Sequence, residues 1–489
     1  MIRASILGVA LLGGLATAAL PAAGTLPFEK EELQTLFGTS NQEKLGKMVR
    51  TYYAHIEKEE LQKANKELQK LIEEAGKVAK TAKIADPLLA IEDWREIIRR
   101  GLMVEKPTAA IVGRGDLKVA EMESPIDTRA NEKELTGIFN NKLKAYISLP
   151  NDFAKVAYPV ILALHTTIDE VKSAKDLTKA KAIDAEVKAW ATATFSKELL
   201  TKAIVICPVM DIALRGSDNV SWSRPRWDSD HGALWAFRAL SEFIFKNVNH
   251  DPSRIYVDGT GEAAAAAMLF CARFPGVLTG AIVRGAPPQR IDFEKNCRGT
   301  PVLFVGDAGK SFHDEWAGKE GLVLAHHPTI DDATLIQWLT DHPKEYSPTK
   351  VGIETSDFVY AAGSWFRVTD QDATRETMRF LIDAAIDREA NEVTVVTSEK
   401  VSGFEIFLND RMLDLSKPVK VIHRYVVEID EATASDEAKA AASEKMKDVV
   451  RFNGPVKRIL EDTLQWAYLR PYSNTGEIYV ASIRVDLGG

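Results

Sequence analysis

Short apolar runs recur through the middle of the chain at 158–165 (YPVILALH), 202–208 (KAIVICP), 255–257 (IYV), 279–285 (TGAIVRG) and 301–306 (PVLFVG). Runs of this length, rich in Val, Ile and Leu, predict strands buried on both faces. The stretches 232–248 and 262–274 between them predict helices. Strands alternating with helices imply a mostly parallel central sheet covered on both sides, an α/β fold.

The flanks carry different patterns. Residues 28–80 are helical and densely charged, and Leu61, Ala64, Leu68, Leu71, Ala75 and Val78 form a narrow apolar seam in steps of three and four. The seam lasts about three heptads, the lower limit for a coiled coil, so docking on the same chain is expected. Asp86-Pro87 ends this region and 88–100 predicts a further short helix. From Asn391 onward, 392–397, 403–408, 419–429 and 477–485 alternate as strands, with an alanine-rich charged insertion at 431–447 expected as a surface helix.

The sharpest local feature is Gly259-Thr260-Gly261-Glu262-Ala263-Ala264, between the 255–257 strand and the 262–274 helix. Such strand-to-helix elbows serve two chemistries: a nucleophile held at a tight G-x-S-x-G turn, or G-x-G-x-x-A cradling a pyrophosphate. Against dinucleotide binding through Gly259-x-Gly261-x-x-Ala264, at least two strands precede the elbow. The position about 20 residues on that needs a ribose-binding carboxylate falls near Arg284. The expected export of the chain also removes it from a soluble nicotinamide pool.

The wording around the elbow resembles the α/β-hydrolase fold, over about residues 142–383. "YPVILALH" resembles the third strand before the oxyanion loop, "HDPSRIYVDG" the lead-in to the elbow, "CARFPGVLTGAIVRGAP" the elbow helix and next strand, and "PVLFVGDAG" the strand before the acid loop. The parents it is similar to are secreted esterases and peptidases of the dienelactone-hydrolase or prolyl-oligopeptidase type. "GFEIFLNDRMLDLSKPVKV" resembles a small module appended to exported bacterial hydrolases.

Laid on that pattern, four catalytic parts depart from it. Gly261 occupies the nucleophile position and has no atom with which to attack. Thr260 stands one position early and Glu262 one late; adjacent side chains on a tight turn point in different directions. The acid position falls on Gly309, with Asp307 two residues short, and His326 and His327 stand near the general-base position without the usual glycine. His165-Thr166-Thr167 lacks the glycines of an oxyanion loop. The resemblance therefore implies a pseudoenzyme with a degenerate triad, retaining its cleft for binding or serving as a structural partner.

The competing expectation is an active secreted hydrolase, an esterase or peptidase, with relocated chemistry. Ser221, Ser229 or Thr260 would be the nucleophile, or Asp307, His313, Asp314, His326, His327, Asp331 and Asp332 would hold a metal. Their spacing fits no metal motif, so neither a metal nor a cofactor is expected. The segment WSRPRWDSDH is the candidate recognition loop, with Trp222, Arg224, Arg226, Trp227 and His231 lining the cleft.

At 489 residues, two or three domains are expected. Residues 1–23 carry one arginine, an apolar run and a small-residue exit, the pattern of a secretory signal peptide, so a secreted or periplasmic location follows. No other stretch is apolar enough to cross a membrane, so no integral membrane protein is expected after cleavage. Residues 24–108 are assigned to the helical region, 109–388 to the hydrolase-like domain and 389–489 to the β-rich α+β module. Three cysteines preclude a disulfide framework, and Cys207 and Cys271 sit in apolar runs as core residues. A net charge of −8 argues against nucleic acid as the partner and leaves a small molecule, a peptide or a protein.

Overall fold

In the computed structural model of the chain, eight strands form a central sheet: β1 (Lys118–Glu123), β2 (Lys142–Ser148), β3 (Tyr158–Leu164), β4 (Ile204–Pro208), β5 (His250–Thr260), β6 (Gly280–Arg284), β7 (Pro301–Val305) and β8 (Val323–His327). The structure describes residues 35–103, 114–123, 142–153, 156–166, 180–210, 214–215, 222–223, 226–274, 277–288, 294–319, 321–345, 347–356, 361–372, 379–427, 435–469 and 477–487. The expected signal peptide, Ser221 and Arg224 lie outside them, as do the side chains of Trp222 and His231.

The strand order is β1-β2-β4-β3-β5-β6-β7-β8. β2 runs antiparallel to both neighbours, and every pair from β4 to β8 is parallel. Parallel neighbours require crossovers, and the helices supply them. One face of the sheet packs on α5 (Asp230–Ala239, continued by a π turn Leu240–Phe245) and α6 (Ala263–Arg273), through Trp235, Phe243, Met268 and Phe270. The other face packs on α4 (Ala180–Thr194) and α8 (Asp332–Asp341), through Val187, Ala191, Leu335 and Trp338. Burial on both faces explains why β3 and β4 show continuous apolar runs with no alternation.

The sequence pattern missed β8, half-exposed along most of its length because it is an edge strand. A short helix α7 (Lys310–Trp316) precedes it.

A second core lies outside the sheet. Helices α1 (Thr39–Glu57), α2 (Leu61–Thr81) and α3 (Ile91–Leu102) share it with nine C-terminal strands. These are β9 (Lys350–Thr355), β10 (Ala362–Gly363), β11 (Phe366–Gln371), β12 (Phe380–Asp387), β13 (Glu392–Ser398), β14 (Val401–Leu408), β15 (Val419–Val426), β16 (Val449–Gly454) and β17 (Ala481–Asp486). They form two sheets, β9-β12-β13-β15-β16 and β10-β11-β14-β17. The insertion expected at 431–447 contains α9 (Asp436–Lys445), which is almost wholly exposed, and α10 (Leu460–Leu469) follows β16.

The α2 seam is buried at Ala64, Leu68, Leu71, Ala75 and Val78, while Leu61 is 63% exposed at the helix start. The Tyr53 hydroxyl donates to the Leu464 carbonyl at 2.9 Å, and Arg411 pairs with Glu92, so polar ties join the helices to the module. The boundary assigned at 388/389 falls inside a hairpin, since β12 and β13 pair antiparallel. Strands β9 to β12 belong with the C-terminal sheets because their alternating burial faces the second core.

Candidate functional site

β5 ends at Thr260, and the chain turns through Gly261 at φ +61° into α6. Two glycines make the turn possible. A Cβ on Gly259 would lie 2.1 Å from the Ala263 carbonyl oxygen, so only glycine lets the strand approach the helix this closely. A Cβ on Gly285 would lie 2.7 Å from the Gly261 carbonyl oxygen, and the Gly261 N–H donates to the Arg284 carbonyl at 3.1 Å. The apex thus holds the left-handed conformation of a nucleophile elbow. This elbow stands at the carboxyl end of β5 in a sheet ordered 1-2-4-3-5-6-7-8 with only β2 antiparallel to its neighbours within the last seven strands. The chain has the α/β-hydrolase fold.

The side chains of an α/β-hydrolase site are another matter. A Cβ on Gly261 would meet the Thr166 hydroxyl at 2.9 Å, so that hydroxyl borders the space a side chain at the apex would enter. Thr166 Oγ1 is 3.4 Å from the Thr260 carbonyl. The Thr260 hydroxyl itself is buried with no hydrogen-bond partner among the described residues, and Glu262 is exposed at the mouth of the turn.

His165 is a clamp. Its Nδ1 lies 2.7 Å from the Thr166 carbonyl, its Nε2 accepts from the Met210 N–H at 3.3 Å, and the ring is 2% exposed. One donor and one acceptor are what a neutral imidazole has, so neither nitrogen is left to serve a hydroxyl.

Gly309 lies in a short turn after β7, where a Cβ would come 2.8 Å from the Phe304 ring; Asp307 opens the same turn. His326 and His327 are in β8 itself and on opposite faces, not in a loop above the sheet. His326 Nε2 sits 3.1 Å from the Gly306 carbonyl, and its ring faces His313, which contacts Asp314. Residues 328–331, which follow β8, are Pro-Thr-Ile-Asp and hold no imidazole; Asp331 caps α8 through the Thr334 N–H. Among the described residues no group of three or more His, Cys, Asp or Glu is placed to hold a metal ion.

The expected recognition loop divides. Trp227 is 1% exposed and belongs to the core, its indole N–H donating to the His165 carbonyl at 2.8 Å and its ring edge-on to the imidazole at 5.3 Å. Its place as a cleft-lining anchor is therefore corrected: it supports the loop beneath the site. Arg226 is exposed and forks onto Asp228 at 3.0 and 2.9 Å. Ser229 caps α5 by accepting from the Gly232 N–H, which engages it as a helix cap.

Sequence reasoning missed one pair beside the apex. Asp258 is fully buried in β5, and the Arg284 Nε, at the end of β6, donates to both its carboxylate oxygens at 3.0 and 2.9 Å. Burial pushes the Asp258 carboxyl above its usual range, opposed by the Arg284 charge. The available signal was a carboxylate inside an apolar strand run, Ile255-Tyr256-Val257-Asp258. Cys207 and Cys271 are buried, with burial pushing both thiols up.

A cavity of about 290 Å³ opens at the opposite, amino-terminal edge of the sheet, lined by Lys202, Asp251, Arg254 and Thr340 among others. Arg254 there bonds Asp251 and the Thr340 carbonyl, which ties α8 to β5.

No family model and no curated protein sequence matches the chain. Solved structures similar to it include a thermostable esterase (12% identity, TM-score 0.31, covering 47% of this chain and 64% of that one). An S-formylglutathione hydrolase from Agrobacterium tumefaciens aligns at 13% identity and TM-score 0.26, covering 49% of this chain and 96% of that one. The Bacillus cereus carboxylesterase aligns at 15% identity and TM-score 0.24, with coverage of 41% and 94%. The fold assignment rests on the strand order and the elbow, independently of these partial superpositions.

Proposed function

We propose that this chain is a catalytically inactive α/β-hydrolase-fold protein that keeps the cleft at its elbow for binding and acts after export from the cytoplasm. The observation carrying this reading is the elbow itself, whose glycine apex at φ +61° has the Thr166 hydroxyl bordering the space a nucleophile side chain would enter. An activated nucleophile needs a base within hydrogen-bond reach, and both nitrogens of the neighbouring His165 are engaged. Export is supported by the pattern of residues 1–23 alone.

The test is labelling of the purified mature protein with a fluorophosphonate, which requires a hydroxyl activated by a base. The expected result is no labelling. Stoichiometric adduct mapped to any serine or threonine would replace this reading with an active hydrolase using a relocated nucleophile.

A further inference from the structure

We propose that a small molecule binds at the carboxyl edge of the sheet through a carboxylate group, gripped by the free edge of the Arg284 guanidinium beside Gly261. This deepens the binding reading above and rests on it.

The pair behind the grip is asymmetric. A guanidinium has five N–H donors, and a forked pair with a carboxylate normally spends two nitrogens. Here only Nε faces Asp258, reaching both oxygens at 3.0 and 2.9 Å. Neither Nη has a hydrogen-bond partner among the described residues. Asp258 is wholly buried, whereas the Arg284 side chain remains 18% exposed, so the pair has an inner, closed side and an outer, open one.

The cation is also fixed in place. Arg284 is the last residue of β6, its carbonyl accepts the Gly261 N–H, and Gly285 leaves no gap against the apex. Residues 282 and 284 share a sheet face with Asp258, because side chains alternate along each strand and Asp258 pairs with Ile282. The guanidinium therefore stands at the carboxyl edge of the sheet, where α/β folds bind ligands. The exposed Thr166 hydroxyl lies against the same apex and supplies a second polar contact.

The charge selects the ligand. Asp258 already balances Arg284, so a bound monoanion leaves one excess negative charge and a dianion two, which favours the singly charged ligand. Two Nη groups in one plane fit the two oxygens of a carboxylate.

The experiment measures binding of acetate, benzoate, methyl benzoate and inorganic phosphate to the mature protein at low ionic strength and pH 7, by ligand-observed NMR. Benzoate or acetate is expected to bind, with methyl benzoate at least about tenfold weaker, as loss of a charge-assisted hydrogen bond implies. Arg284→Met should abolish the preference. Since that change strands a buried carboxylate, the double variant Arg284→Met with Asp258→Leu carries the same expectation with the charge removed from both sides. Asp258→Asn, which leaves the guanidinium unbalanced, should tighten benzoate about tenfold, whereas a purely structural pair would leave affinity unchanged. Equal binding of benzoate and its methyl ester, no carboxylate binding, tighter phosphate binding, or unaltered benzoate affinity in Asp258→Asn would each overturn the proposal. Hydrolysis of methyl benzoate would sink the inactive reading instead, and leaves the carboxylate result separately readable.

Discussion

Gly261 and Gly309 differ in what a restored side chain would meet. At Gly261 the obstacle is the Thr166 hydroxyl, the end of a side chain that can rotate; at Gly309 it is the Phe304 ring, a fixed core group. Gly261→Ser should therefore fold, with a stability loss of about 1–2 kcal/mol from a left-handed non-glycine residue. Its turnover of a nitrophenyl ester should stay near background, because Gly309 and both His165 nitrogens remain unsuitable. Robust turnover would show that the nucleophile was the only part lost. Trp227 is a different kind of residue from the one its sequence neighbours suggest. Trp227→Ala should lower stability by about 3–5 kcal/mol, the cost of emptying a large buried side chain, and thermal unfolding reads it directly. A melting temperature within a degree of the parent would return Trp227 to the cleft surface.

At the scale of elements, glycine has opposite consequences in two places. In the elbow, Gly259 near the end of β5 lies against the start of α6, whose Ala263 carbonyl oxygen is 2.1 Å from the site of any Cβ. Gly259→Ala should cost at least about 1–3 kcal/mol, since neither element can retreat. Gly76 lies exposed inside α2 with nothing within 4 Å, so Gly76→Ala should stabilise by about 0.5–1 kcal/mol. Urea midpoints that moved in the same direction for both would contradict this account of the elbow. The central elements were legible because buried parallel strands are near-continuous apolar runs, as in 158–165 and 202–208. β8 was not, because an edge strand reading Val-Leu-Ala-His-His has no clean alternation, and its histidines looked like loop residues.

For the whole molecule, the striding of two cores through one chain ties the N-terminal helices to the C-terminal sheets. Each core contains a buried histidine element that acid can attack. His250, stacked on Phe245 with Nδ1 2.9 Å from the Val248 carbonyl, is pushed down to about 4 by burial. His423, beside the Thr397 hydroxyl, is likewise pushed down to about 4, again chiefly by burial. A histidine whose folded pKa lies below its unfolded value of about 6.5 contributes stability that is complete above that value. Between pH 6.5 and 4 the unfolded chain binds more protons, so stability falls as the pH falls. His250 alone should account for about 3 kcal/mol over that window. Urea unfolding at pH 7.5 and pH 4.5 checks the sign, and His250→Phe should shrink the difference. Equal midpoints at the two pH values would show that these histidines stay accessible to protons in the folded state.

The buried strands β3 to β7, the helices that flank β5 and the glycine elbow were determined by the sequence, because periodicity and glycine sterics act within a few residues. The identity of the second core was not, since an apolar seam such as Ala64 to Val78 states only that something covers it. Nor was the boundary near Lys350, because strands β9 to β12 look alike whichever sheet receives them. The pairing of Asp258 with Arg284, 26 positions apart, depends on the register of β5 against β6. The seating of Trp227 under His165 depends on how two loops meet above the sheet. Register and loop meeting are long-range packing, and tertiary structure alone decides them, because no local pattern encodes which distant side chains share a face.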